Sequence, residues 1–283
     1  MTKRTIRMGV ALAALAPIGL IVTACGSGSS SPTTQSSPTT SSSSAMALPS
    51  YTNAWHTAFA SPASGTTVTG NDLTVAVNAT GYKLSCGWAG KANQSGIGHY
   101  HLMLDKSLVN MFCTPQATVS MQNIQPGPHT LEVVPALNDH STVMGHGQAI
   151  TFNYQPTNPL PPITAKRYAG PPKITIVSPA NGQTVSGNFP VQVKITNFTP
   201  SCDLYGKLDV AGFGHWHVNW DTTSGAMGGM ATMAGMSCTK TMQLSTAGLA
   251  PGSHHKLIAY IADNLHAAAM PMVSDAVDIK VGG

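Results

Sequence analysis

The sequence predicts an all-β chain organised as two tandem β-sandwiches. Three observations point there. Val-, Thr- and Ile-rich runs alternate polar and apolar residues, as in LTVAV (Leu73–Val77) and VQVKI (Val191–Ile195), and Gly, Pro and Asn turns separate them. No long segment carries the 3.6-residue apolar period of an amphipathic helix. The pattern also occurs twice, with roughly seven short strands in about 100 residues each time, which fits a sandwich.

The elements follow in chain order. Residues 1–24 read as a lipoprotein signal peptide. Lys3, Arg4 and Arg7 form a basic start, Val10 to Val22 is apolar but short for a membrane span, and Val22-Thr23-Ala24-Cys25 resembles a bacterial lipobox. Cys25 is then the lipidated residue, and its acyl chains anchor the protein at about 0.8 kcal/mol per buried CH2. The other reading is an ordinary signal peptide with a cysteine nearby. Residues 25–50 are almost entirely Ser, Thr, Pro and Gly and read as a tether, since such a stretch buries too little apolar surface to offset its ordering entropy. Domain 1 spans 51–154 and domain 2 spans 174–283. Residues 155–173 (QPTNPLPPITAKRYAGPPK) are Pro-rich and read as a stiff, extended linker.

Without the basic leader the chain holds 11 Lys and Arg against 10 Asp and Glu. Near-neutrality argues against nucleic acid as a partner. The partners left are the outer face of the bacterial cell membrane through the anchor, a metal ion, or an envelope protein.

The duplication is detailed. Cys86 matches Cys202, Gly90-Lys91 matches Gly206-Lys207, Met111-x-Cys113 matches Met236-x-Cys238, and His140-x3-Met144 matches His266-x3-Met270. Pro126-Gly127-x-His129 aligns with Pro251-Gly252-x-His254. An even cysteine pair per domain outside the cytoplasm predicts the disulfides Cys86–Cys113 and Cys202–Cys238.

The chemistry-bearing segments are GHYHLMLD (Gly98–Asp105) and GHWHVNWD (Gly214–Asp221). On a strand, side chains alternate between faces. Tyr100, Leu102 and Leu104, and likewise Trp216, Val218 and Trp220, then face a core. His99, His101, Met103 and Asp105 face the other way, as do His215, His217, Asn219 and Asp221. Two imidazoles at i and i+2 can share one metal ion, with Asp105 and Asp221 as ligands or as acceptors that orient a ring. They can equally form a hydrogen-bonded polar cluster. His140 and His266 complete a site only if their strand lies beside the His-x-His strand. The Leu249–His254 turn resembles the corner of fibronectin-type sandwiches, so His129 and His254 read as structural corner residues, with ligation as the alternative.

Domain 2 is longer by nine residues between its Asp and its second Cys. There Met227, Met230, Met233 and Met236 recur every third residue among Gly, Ala, Ser and Thr. Thioethers favour Cu(I), so this segment reads either as a copper-handling loop or as a flexible stretch covering apolar surface.

The openings FASPASGTTVTGNDLTVAV and TIVSPANGQTVSGNFPVQVKI resemble bacterial immunoglobulin-like domains. The GHxHxxxD motif, the LxPGxHxL turn (Ile124–Leu131 in domain 1) and the late histidine resemble an uncharacterised family of small secreted bacterial domains. The resemblance implies tandem immunoglobulin-like sandwiches and carries no settled activity. Domain 2 departs from it at Gly252-Ser253-His254-His255-Lys256-Leu257, which leaves the register of those histidines open.

Three functions follow for testing: a non-enzymatic anchored protein that binds copper or zinc; an adhesion or scaffold module; and an enzyme. Copper–zinc superoxide dismutases also place His-x-His on a β-sandwich, but neither copy here has their complete ligand series. The Gly-x-Ser-x-Gly, zinc-protease and phosphate-loop motifs are absent from the sequence.

Overall fold

Residues 47–283 are described by the structure, a computed structural model. The leader, Cys25 and the tether up to residue 46 lie outside the described residues. The alternating segments form two pairs of sheets. In the first sandwich, β1 (His56–Ser61), β3 (Asp72–Thr80) and β7 (Gln116–Ser120) make one antiparallel sheet. It faces a second sheet ordered β2 (Thr66–Val68), β9 (Gln148–Tyr154), β8 (Gly127–Ala136), β5 (Ile97–Leu104) and β4 (Lys83–Leu84), with β6 (Ser107–Phe112) also paired to β5. Here β2 runs parallel to β9, and β4 runs parallel to β5.

The second sandwich repeats this arrangement. One sheet holds β10 (Lys173–Ser178), β12 (Asn188–Thr196) and β16 (Thr241–Ser245). The other is ordered β11 (Gln183–Val185), β18 (Ser274–Val281), β17 (His254–Ala262), β14 (Phe213–Trp220) and β13 (Thr199–Pro200), with β15 (Met233–Ser237) on β14. Both expected disulfides are formed. Cys113 and Cys238 directly follow β6 and β15, so each bridge ties down the segments that border a histidine strand.

The period-two reading holds for the core. Tyr100, Leu102 and Leu104 are buried among Val75, Val119, Leu131 and Phe152, and Trp216, Val218 and Trp220 are buried among Val191, Leu257 and Ile279. The opposite face of each strand is buried as well: His99, His101, His215 and His217 are no more than 7% exposed. A single sandwich leaves that face to solvent. Here the other sandwich covers it.

The covering contacts are reciprocal, as across a two-fold axis. Lys91 Nζ donates to the carbonyls of Ser245 (2.5 Å) and Ala247 (2.7 Å) in the second sandwich, and to its own Gly87 (2.8 Å). Its counterpart Lys207 donates to Ser120 in the first sandwich (2.6 Å) and to its own Asp203. Burial pushes both amines down to about 8. Three carbonyls match the three N–H donors of an ammonium at Lys91, which favours keeping its proton. Beside each lysine stands a glycine at positive φ. A Cβ on Gly90 would meet the Met233 carbonyl oxygen at 2.6 Å, and one on Gly206 would meet that of Leu108 at 2.6 Å. Glycine is required at both places by backbone angle and by contact.

The Pro-rich linker is hydrogen-bonded to the rest of the fold. It lies along both sandwiches: Gln122 Nε2 donates to Pro161 O (2.9 Å), Ile163 N to Asn123 Oδ1 (2.9 Å) and Lys166 N to Ala211 O (2.9 Å).

Candidate metal centre

Each sandwich gathers three histidines. β5 supplies His99 and His101. The chain leaving β8 turns through His140, held at φ 64° with its N–H on Leu137 O, and returns at the Ala136–Thr142 bridge. The positive φ directs that ring back over β5. His266 does the same over β14, at φ 69° beside the Ala262–Ala268 bridge. The sequence admits His140 and His266 only from a neighbouring strand; the structure brings both rings to the triads from a loop instead.

In the first triad His99 Nε2 lies 3.1 Å from His101 Nε2 and 3.1 Å from His140 Nδ1, and His140 Nδ1 lies 3.5 Å from His101 Nε2. In the second, His215 Nε2 lies 2.7 Å from His217 Nε2 and 2.9 Å from His266 Nδ1. Tetrahedral ligation at roughly 2.0–2.1 Å sets nitrogens about 3.3–3.4 Å apart. The first triad needs shifts of only a few tenths of an ångström, and the second must open slightly further. Both sets could hold a metal ion.

The tautomers are set by outside partners. His140 Nε2 donates to the Met233 carbonyl (2.7 Å), and His266 Nε2 donates to the Leu108 carbonyl (2.7 Å). Each ring's Nδ1 is thus the lone-pair atom, and it faces the triad's centre. A ring N–H donated to a backbone carbonyl is the usual support behind a ligating imidazole. His217 Nδ1 pairs with Tyr260 Oη (2.9 Å), and when the ring N–H donates to that oxygen its Nε2 is the inward lone-pair atom. Tyr205 packs against both His215 and His266.

Protons alone serve this geometry poorly. Sharing one proton among three nitrogens is the best neutral rings can do, and the Nδ1 atoms of His99 and His215 have no partner among the described residues. Extra protons are disfavoured. Burial lowers the proton affinity of all six rings, and for His101 it does so, with His140 and His266 close by, to about 3. Burial thus disfavours charging these rings with further protons, and the convergent nitrogens of each triad could take a metal ion.

Two groups of expected ligands lie elsewhere. Asp105 and Asp221 sit at φ 50° and 61°, where the strands end in a turn, and this rotates their carboxylates off the histidine face. Asp105 accepts from His129 Nδ1 (2.7 Å) and Thr130 N (2.9 Å). Asp221 accepts from His255 Nδ1 (2.9 Å) and Lys256 N (2.8 Å). His255, not His254, is therefore the counterpart of His129. Ser253 Oγ lies 3.0 Å from His255 Nε2 but donates its proton to Ala250 O (2.6 Å), as a turn residue does and a nucleophile does not.

The Met-rich segment is not a displayed sulfur loop. Met233 and Met236 are buried on β15, and with the half-buried Met230 they join the apolar cluster of the first sandwich. Met227 alone is exposed among the four. Asn219 Nδ2 pins the inserted turn through Gly229 O (2.7 Å) and Thr232 Oγ1 (3.0 Å). Tyr205, Tyr260 and the two carbonyls of the opposing sandwich were missed from sequence. Tyr260 stands directly opposite His217 in the β14–β17 register, and that pairing is the signal that finds it.

No family model matches this chain, and neither does any curated protein. Among solved structures it is similar to the fibronectin(III)-like modules of Clostridium thermocellum CbhA, with 13% identity, a TM-score of 0.26, and coverage of 80% of this chain and 94% of that one. It is also similar to the chicken CNTN1 FN1–FN3 domains, at 11% identity and TM-score 0.24, covering 81% and 69%. A tetra-tandem repeat from the extending region of a large adhesion protein matches at 10% identity and TM-score 0.23, covering 81% and 49%. The strand order itself shows an all-β chain of two tandem β-sandwiches.

Proposed function

We propose that this chain is an extracytoplasmic transition-metal-binding protein with one three-histidine site per sandwich, serving capture or buffering. The observation that carries the reading is the pair of buried triads in which a backbone carbonyl fixes one inward lone pair each. Imidazole suits copper and zinc. Neither triad includes a carboxylate, and a monovalent ion brings less uncompensated charge into so buried a setting than a divalent one. Cu(I) is therefore the first choice and Zn(II) the second. The two disulfides support an oxidising compartment. In this reading lipidated Cys25 anchors the protein to the outer face of the membrane, with residues 25–50 as its tether.

The test is titration of the disulfide-intact protein with Cu(I), Cu(II) and Zn(II) against competing chelators. Two equivalents retained against the chelator, and lost in the His99/His101/His215/His217→Ala protein, are expected. Affinity no greater than that of an ordinary histidine-bearing protein would return these residues to a purely structural role and leave an adhesion or scaffold module as the better reading.

A further inference from the structure

The same four elements recur on both sides of the contact between the sandwiches. His140 donates to the carbonyl of Met233, against which Gly90 also packs, and Lys91 fastens the same face through Ser245 and Ala247. On the other side His266 donates to the carbonyl of Leu108, against which Gly206 packs, and Lys207 fastens that face through Ser120. In each case the acceptor that fixes the third ligand belongs to the sandwich that does not own the triad.

We infer that each metal site is finished only by the opposite sandwich, so that metal loading and sandwich docking form one coupled equilibrium. The inference rests on the metal-binding reading above. Undocking frees the Nε2–H of His140 and of His266 together. Each ring then loses both its fixed tautomer and the restraint on its positive-φ turn, and loss of such outer partners typically weakens metal binding roughly 10–100-fold. By reciprocity, an ion bound at either triad favours the docked state. An ion held by one sandwich thus improves the site of the other without touching it. Separation of the sandwiches, by a partner or by force on the tether, would release both ions at once.

The coupling is tested by reading one site while disturbing the contact far from it. In the full chain, His215→Ala with His217→Ala leaves only the first triad. Adding Lys207→Met removes the bond to Ser120 O, which lies on β7 in the other sheet of the first sandwich and touches no histidine of that triad. The affinity of the remaining ion, measured by chelator competition with Cu(I) and with Zn(II), is expected to fall roughly tenfold. Small-angle scattering of this variant should show the metal-free form more extended than the loaded form. Gly206→Ala, which displaces the Leu108 carbonyl that the first triad does not use, should act in the same direction and serves if the lysine variant folds poorly. Unchanged affinity in both variants overturns the coupling and leaves the metal reading intact. A wild-type protein that binds neither ion overturns the metal reading itself, and the coupling with it.

Discussion

The two triads are copies with different surroundings. In the first sandwich His101 stands opposite Val134, which offers its ring no hydrogen bond. In the second, His217 stands opposite Tyr260, whose hydroxyl takes the outer nitrogen of that ring. Ala89 lies beside Gly90, whereas at the matching place beside Gly206 stands Tyr205, whose ring walls two of the three histidines. The first triad is fully buried, while His266 of the second is partly exposed. Duplication preserved the ligands and let their supports diverge. The second triad is the better oriented and the more accessible, so it should bind first and exchange faster, and the first should hold its ion more slowly and longer.

The harshest way to break the comparison is to delete one triad at a time. His215→Ala with His217→Ala should cost one of two bound equivalents, and His99→Ala with His101→Ala should cost the other. Metal content at saturating ion reads this directly, because saturation fills a triad that the coupling has merely weakened; loss of both ions there from either double variant would mean a single shared site.

Acid should come next in size. In the unfolded chain the histidines take up protons below about 6.5, whereas burial holds all six folded rings below that value. The folded state is therefore favoured fully above pH 6.5 and loses stability as pH falls through and below it. The slope is about 1.4 kcal/mol per pH unit for each histidine that protonates only on unfolding. Melting temperatures of the metal-free protein should drop between pH 7 and 5, and either double variant should flatten the profile. A flat wild-type profile would show that the rings already carry protons in the fold.

Tyr260→Phe sharpens the contrast between the copies. It should weaken the second site roughly tenfold and leave the first unchanged, as read by competition in the two double-variant backgrounds. The smallest effect belongs to the aspartates. Asp221→Asn should lower stability by about 1 kcal/mol or less, because the lost bond is half-exposed, and should leave both affinities as they were. An Asp221→Asn protein with impaired metal binding would put that carboxylate back in the site.

The parts legible in sequence share one property: they follow from local periodicity or from covalent pairing. Alternation placed Tyr100 and Trp216 in cores, cysteine parity found both bridges, and the duplicated His-x-His marked four of six convergent rings. Period two also predicted that Asp105 and Asp221 would stay with their histidines, and it failed there because the strands end in positive-φ turns one residue too soon. His140 and His266 were only conditional candidates, since a loop's path depends on what it packs against. Gly90-Lys91 and Gly206-Lys207 were visible as a repeat, but their meaning was not. A glycine against a distant carbonyl and a lysine holding the other half's backbone are consequences of how two sheets meet, which no pattern within either sheet encodes. The methionine spacing left a soft-metal loop and a cover for apolar surface both open, and the burial of Met233 and Met236 in the apolar cluster of the first sandwich agrees with the second.

The crossed carbonyls carry a historical implication. A chain with a single repeat would have no acceptor for its third histidine, except on a second copy of itself. The ancestor with a finished site would then have been a homodimer, each protomer completing the other's centre. Fusing the two copies through residues 155–173 replaces an encounter in solution with a tethered one. For short linkers that corresponds to an effective concentration on the order of millimolar. Such a fusion keeps the assembly intact at any abundance of the chain.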